Sequence, residues 1–294
     1  MQKQIALMMA LCALIVTPHA VTAQNRYPNS NLLVETEWVE QNHTNTNTRI
    51  IDMRDEKAYK EAHLPGAVRI EEAGLRNTED RFTYLPKPEV FSMMMNKAGI
   101  SNTSHILLYD NEGGKMAARL WYVLNAFGHK RISLINGGWQ KWVAEKRPTT
   151  SEVPNVTPTD FKVKERPDMT CPLPALLERK PGIVVLDTRS EKEYTGQTLS
   201  PGAKQAGRIP GSVNVDWKEN VTGQNLEFKP AEELKAIYQA KGITPNKEII
   251  VYCASGGRAS QSLFTLKLIG YKRVKVYYGS FRDYSALENA PIEK

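Results

Sequence analysis

Residues 248–260 read Glu-Ile-Ile-Val-Tyr-Cys-Ala-Ser-Gly-Gly-Arg-Ala-Ser. Ile249 to Tyr252 is a short apolar, β-branched run of the kind that forms a buried strand. Cys253 stands at its end, where the strand would leave the sheet. Gly256 and Gly257 allow the backbone to turn so that N–H groups converge on one point. A segment that reads as a helix follows, and the positive end of its dipole joins the charge of Arg258. Each of these favours a thiolate, so Cys253 reads as an activated nucleophile.

Two other readings compete. Free cysteine is among the most buried residue types, so a lone strand-end cysteine is ordinarily structural. The Gly-Gly-Arg loop and the helix start argue against that here. A cysteine phosphatase would show C-x5-R, but Arg258 is five positions after Cys253, not six, and Ala259 holds the sixth. The ring is one residue short for a tetrahedral phosphate, whereas a sulfur atom carried on the cysteine fits better. Tyr252, not histidine, precedes Cys253.

At 294 residues the chain is long enough for about two domains. Apolar content of 41% and charged content of 24% describe a soluble globular protein. The net charge of +7 is dispersed and no nucleic-acid motif accompanies it, so no nucleic-acid partner is expected. Lys267, Lys272, Arg273, Lys275 and Arg282, downstream of the loop, could draw a small anion toward it. Gln2 and Lys3 precede an apolar run from Ile5 to Val16, and Val21-Thr22-Ala23 resembles a cleavage site before Gln24. Residues 1–23 therefore read as a signal peptide, and the mature chain as exported and periplasmic, with secretion as an alternative. No later stretch reaches the roughly eighteen apolar residues of a spanning helix, so no stable membrane insertion is expected. Removal of the leader would take Cys12 with it and leave Cys171 and Cys253. Cys171, between Thr170 and Pro172, reads as structural or incidental.

From residue 24 to 30 a polar, mobile leader is expected. Leu32 to Glu40 suggests a strand and then a helix capped by Thr36. Strands follow at Arg49–Asp52, Ile106–Tyr109 and Ile132–Ile135, and helices around 89–98 and 117–127, where Ala117, Leu120, Trp121, Leu124 and Phe127 recur at helical spacing. Residues 71–88 read as irregular and polar. Asn136-Gly137-Gly138 reads as a turn with positive φ. Residues 149–165, rich in Thr, Pro and Val, read as an extended linker. Trp121, Trp139 and Trp142 read as core.

The second half repeats the first. Val184-Val185-Leu186-Asp187-Thr188-Arg189 matches Ile50-Ile51-Asp52-Met53-Arg54 in its Asp-x-Arg, and Tyr194 matches Tyr59. Arg208-Ile209-Pro210-Gly211 matches His63-Leu64-Pro65-Gly66, and Tyr278-Gly279-Ser280-Phe281 matches Asn136-Gly137-Gly138-Trp139. Strands alternate with helices in both halves, so each half is a small α/β domain with a mostly parallel sheet flanked by helices. Aligned in this way, Cys253 falls on Asp110 and Gly256-Gly257-Arg258 on Gly113-Gly114-Lys115. The first half, residues 31–148, keeps the loop shape without the nucleophile, and residues 166–294 carry the chemistry. Asp187 and Arg189 read as a buried ion pair under the loop. None of His43, His63, His105 and His129 lies in the second half, so no Cys–His dyad and no metal site is expected, nor any cofactor motif.

These residues together resemble the two-domain sulfurtransferases of the rhodanese family. The Leu33-to-Trp38 opening, the paired Asp-x-Arg strands, the Pro-Gly turns, the Asn136-to-Trp139 turn and the loop Cys253–Arg258 carry the resemblance. It implies a tandem duplication of a rhodanese-like domain with a cleft between the copies. It further implies a ping-pong reaction, in which Cys253 takes a sulfane sulfur from a small anionic donor and passes it to a thiol or cyanide. The loop N–H groups of Ala254, Ser255, Gly256, Gly257 and Arg258 would cradle that sulfur. The loop Cys-Ala-Ser-Gly-Gly-Arg itself is more similar to single-domain members. Where the two-domain enzymes carry a substrate-binding arginine after the second Asp-x-Arg, this chain has Glu193, which shifts anion binding to Arg258. Thiosulfate is the first donor expected and mercaptopyruvate the second; a non-enzymatic persulfide carrier remains the alternative.

Overall fold

Short strands joined by helical crossovers readily pair in parallel, and a parallel sheet needs cover on both faces. The computed structural model describes residues 27–294. The segment expected to be a signal peptide, its expected cleavage site and Cys12 lie outside the described residues.

The first half contains strands β1 (Leu33–Val34), β2 (Thr48–Asp52), β3 (Val68–Arg69), β4 (His105–Tyr109) and β5 (Ile132–Ile135). They form one parallel sheet in the order β1-β5-β4-β2-β3. Its helices are α1 (Thr36–Asn42), α2 (Glu56–Glu61), α3 (Pro88–Lys97), α4 (Lys115–Ala126) and α5 (Gly138–Ala144). In the second half, α6 (Leu173–Leu177), β6 (Val184–Asp187), α7 (Glu191–Tyr194) and β7 (Val213–Asn214) come first. A hairpin of β8 (Val221–Thr222) and β9 (Glu227–Phe228) follows, and then α8 (Ala231–Ala240), β10 (Ile249–Tyr252), α9 (Gly257–Leu268), β11 (Val274–Val276) and α10 (Ser280–Tyr284). The second sheet is also parallel, in the order β11-β10-β6-β7. The place that β1 holds in the first sheet is reduced here to one parallel bridge, Thr170 beside Val276. The duplication is thus a duplication of sheets, with two α/β folds in tandem.

The halves meet through α4 and α9. Both helices are buried on almost every face, and Trp121 meets Phe264 edge-on with ring centroids 5.3 Å apart. One continuous apolar cluster runs from Ile106 and Leu108 in the first sheet through these helices to Ile249 and Val251 in the second. Residues 71–88 are not a free irregular segment. Leu75 and Tyr84 are buried, Tyr278 donates its hydroxyl to the Leu75 carbonyl at 3.0 Å, and Arg76 pairs with Asp283 at 2.5 Å. This stretch braces one half against the other.

Two further expectations change, and the linker gains a place. The leader is anchored from Tyr27 onward, because the Tyr27 hydroxyl donates to the Lys229 carbonyl at 2.8 Å. Asn29 donates through its side chain to Lys267 O and through its backbone to Leu268 O, capping the C-terminal turn of α9. Thr36 is the first residue of α1 rather than its cap, and its hydroxyl donates to Glu145. The stretch 149–165 has no regular element except the bridge of Thr150 to His63. It lies along the first half, where Phe161 is buried and its N–H donates to Asn96 Oδ1 at 2.5 Å.

Candidate active site

The site begins at the C-terminal edge of the second sheet, where β10 ends and α9 begins. Asp187 and Arg189 form an ion pair that is wholly buried under this edge, at 2.5 Å. A buried charge pair is tolerable only when its remaining polar atoms are satisfied. Here Arg189 also donates to Gly207 O and Ser200 Oγ, and the Tyr252 hydroxyl donates to Asp187 at 2.6 Å. The last residue of β10 is therefore fixed by its side chain as well as by pairing with Asp187. The first half repeats the arrangement with Asp52, Arg54 and Tyr109.

Cys253 follows Tyr252 and is 1% exposed. Its carbonyl accepts from Phe281 N, the Ala254 carbonyl accepts from Arg282 N, and its own N–H reaches Ser280 Oγ at 3.3 Å. Gly256 caps α9 at φ +98, where a Cβ would lie 2.4 Å from the Tyr278 ring. That left-handed turn aims the Gly256 N–H at Cys253 Sγ, 3.1 Å away. The sulfur thus sits at the positive end of a twelve-residue helix with one backbone donor on it. Of the five loop amides named from sequence, Gly256 is the one within hydrogen-bonding reach of Sγ in this structure.

The first half shows what the same shape does without a cysteine. Asp110 accepts from the N–H groups of Glu112, Gly114, Met116 and Ala117 at 2.7–2.9 Å. Its carboxylate fills the nest that would otherwise face a ligand. Burial pushes the Asp110 carboxyl up, against the pull of those four donors. The helix cap corrects the alignment of the repeats: Gly114 caps α4 as Gly256 caps α9, so the nucleophile loop is one residue shorter than its counterpart. Lys115 corresponds to Gly257, not to Arg258.

Arg258 is not the free cation expected. Both of its terminal nitrogens donate to Glu193, at 2.6 and 3.0 Å. Glu193 also accepts from Ser200 Oγ at 2.5 Å and Ser190 Oγ at 2.9 Å. Burial raises this carboxyl, but the hydrogen bonds from Arg258 and Ser200 and the Arg258 charge outweigh it and hold it at about 2. Glu193, which stands where the resemblance implies an arginine, therefore also takes up the arginine expected to bind the anion in its place.

Cys253 opens onto a cleft of 580 Å³ between the halves. Ala254, Ser255, Gly257 and Arg258 line it from the loop, and Glu72, Lys115, Met116 and Arg119 line it from the first half. Lys267, Lys272, Arg273, Lys275 and Arg282 do not line it; Lys275, for example, pairs with Glu248. Arg119 was not anticipated. It is 5% exposed, donates to the Tyr278 hydroxyl at 2.9 Å and to Ser255 O at 3.4 Å, and pairs with Glu72. One signal pointed to it: an arginine inside the apolar helix Ala117-Ala118-Arg119-Leu120-Trp121 needs a buried partner. Cys171 is a free, buried thiol that burial pushes up to about 11, with its backbone N–H on Val276 O. Among the described residues, no group of three His, Cys, Asp or Glu side chains could hold a metal ion, and no helix is long and apolar enough to cross a membrane.

Comparison with known proteins agrees with this architecture. The Rhodanese-like domain family matches residues 35–145 and again 173–287. The chain is 36% identical over 283 residues to the sulfur carrier protein TtuD of Thermus thermophilus, covering 91% of this chain and 98% of that protein. It is 30% identical to a thiosulfate sulfurtransferase of Corynebacterium glutamicum, over 92% of this chain and 93% of the relative. The solved structure of the 3-mercaptopyruvate sulfurtransferase SseA from Escherichia coli superposes with a TM-score of 0.76 at 26% identity, covering 85% of this chain and 98% of that one. The chain belongs to the rhodanese-like family, with two of its domains in tandem.

Proposed function

We propose that this protein is a sulfurtransferase that carries a sulfane sulfur on Cys253. The observation that carries the reading is the placement of Sγ at the helix end, with the Gly256 N–H on it, facing the cleft. Relatives named thiosulfate sulfurtransferase support the reaction class. With thiosulfate, the Cys253 thiolate attacks the sulfane sulfur, the sulfur–sulfur bond breaks, and sulfite leaves with the bonding pair. The persulfide then yields its outer sulfur to cyanide, giving thiocyanate, or to a thiol, and the Cys253 thiolate returns. No metal or cofactor takes part in these steps.

Incubation with thiosulfate followed by intact-mass measurement tests the first step: a gain of one sulfur atom's mass, absent in Cys253→Ser, is expected. No gain would overturn the reading. A second reading, a sulfur carrier loaded by a partner protein, is favoured by the name of the Thermus relative. It would show a loadable Cys253 with negligible thiosulfate:cyanide turnover. We further propose that the protein works in the periplasm, on the strength of the Met1–Ala23 sequence. N-terminal sequencing of the protein from a periplasmic fraction should then begin at Gln24; recovery from the cytoplasm with residues 1–23 intact would overturn this.

A further inference from the structure

Three cations line the cleft, and each already has a carboxylate partner. Arg258 is held by Glu193, whose side chain is 10% exposed and accepts two serine hydroxyls besides. Lys115 pairs with Glu112 and Arg119 with Glu72, and these two carboxylates are 48% and 53% exposed. A carboxylate that is about half exposed can return to water at little cost when an incoming anion takes its place beside the cation. Separating a buried pair leaves an uncompensated charge inside the protein and costs far more. Arg258 is therefore committed to Glu193, while Lys115 and Arg119 can exchange partners. Both side chains also lie over the start of α9: an added Cβ on Gly257 would sit 3.8 Å from Lys115 Cγ and 3.9 Å from Arg119 Nη1. The Arg119 guanidinium meanwhile reaches Ser255 O in the nucleophile loop.

We infer that Lys115 and Arg119, from the first half of the chain, hold the anionic end of the sulfur donor, with Glu72 and Glu112 giving way to it. This rests on the sulfurtransferase reading above and names the donor subsite of that same cleft. It gives the catalytically unarmed half a direct part in the reaction, since α4 brings the charge and α9 the nucleophile. Arg258 is then a positioning residue that holds the loop through Glu193.

The test compares thiosulfate with a neutral organic trisulfide, following KM and kcat for the first and the intact mass of Cys253 for both. The trisulfide exchanges one sulfur–sulfur bond, expels a thiolate or perthiolate and leaves its organic disulfide or trisulfide on Cys253, read as that mass gain. Lys115→Met and Arg119→Met should each raise the thiosulfate KM about tenfold, the loss of one charge-assisted hydrogen bond, with kcat changed far less. Loading from the trisulfide should fall much less than loading from thiosulfate. Glu72→Gln, at an exposed position, should lower the thiosulfate KM several-fold. The inference is overturned if Glu72→Gln leaves that KM unchanged or raises it. It also falls if Arg119→Met slows loading from both donors equally, because Arg119 would then only hold the loop. Failure of wild-type Cys253 to load from either donor would instead overturn the sulfurtransferase reading.

Discussion

At the scale of single residues, Glu193 and Ser280 make sharp predictions. The folded pKa of Glu193 is depressed, so its contribution to stability is fully present above the ordinary carboxyl value near 4.5 and lost as pH falls through about 2. The shift corresponds to on the order of 3 kcal/mol. Chemical unfolding between pH 5 and 2.5 should therefore show a shallower acid loss in Glu193→Gln than in wild type; parallel curves would mean that the Arg258 pair adds nothing. Ser280 occupies a left-handed conformation at φ +61, where the repeat has Gly138 at φ +51. Its hydroxyl faces the Cys253 N–H and lies 4.0 Å from Sγ, which is a reason to keep a serine at a strained position. Both Ser280→Ala and Ser280→Gly lose that hydroxyl, but only alanine keeps the backbone cost. Ser280→Ala should accordingly be less stable than Ser280→Gly by about 1 kcal/mol in urea titration. Equal stability would mean that the backbone is not strained there.

At the scale of elements, the strand-loop-helix unit of β10 and α9 depends on one glycine. Gly256 combines φ +98 with the Tyr278 ring in the place of its missing Cβ, and Tyr278 is itself tied to Leu75. Gly256→Ala should cost at least about 2 kcal/mol, from left-handed strain together with overpacking. It should also remove the N–H from Sγ and slow persulfide loading. Gly223→Ala is the control, since its φ of +69 carries the same kind of strain with nothing within 4 Å; it should cost only about 1 kcal/mol. This unit was legible in sequence because its signals are local: apolar run, cysteine, glycines, helix. The Asp-x-Arg pairs and the duplicated sheets were legible for the same reason. The one-residue difference between the two loops was not, because Gly113 and Gly114 both fit a glycine-rich alignment and only the helix cap decides between them. The anchoring of Tyr27 and Asn29 was also hidden, since a short polar segment carries no periodicity that could name a distant helix end.

At the scale of the whole molecule, the missed residues share one cause. Glu72 and Arg119 reach the site from separate places in the first half, and what brings them to the nucleophile loop is the packing of α4 on α9. The same packing makes the halves one stability unit rather than two beads on a linker. Phe264 touches Trp121 at 5.3 Å and Phe228 at 5.3 Å, and its side chain is fully buried. Phe264→Ala should cost about 3–5 kcal/mol, the usual range for an aromatic core truncation. Because the cluster extends from Ile106 to Val251, that loss should not stay in the half that carries the mutation. Native-state hydrogen exchange reads this directly: amide protection in β4, in the first half, should fall together with protection in β10. A fall confined to β10 would mean that the halves open independently. In that case the cleft would not hold Arg119 against the nucleophile loop, and a donor subsite shared between the halves would lose its physical basis.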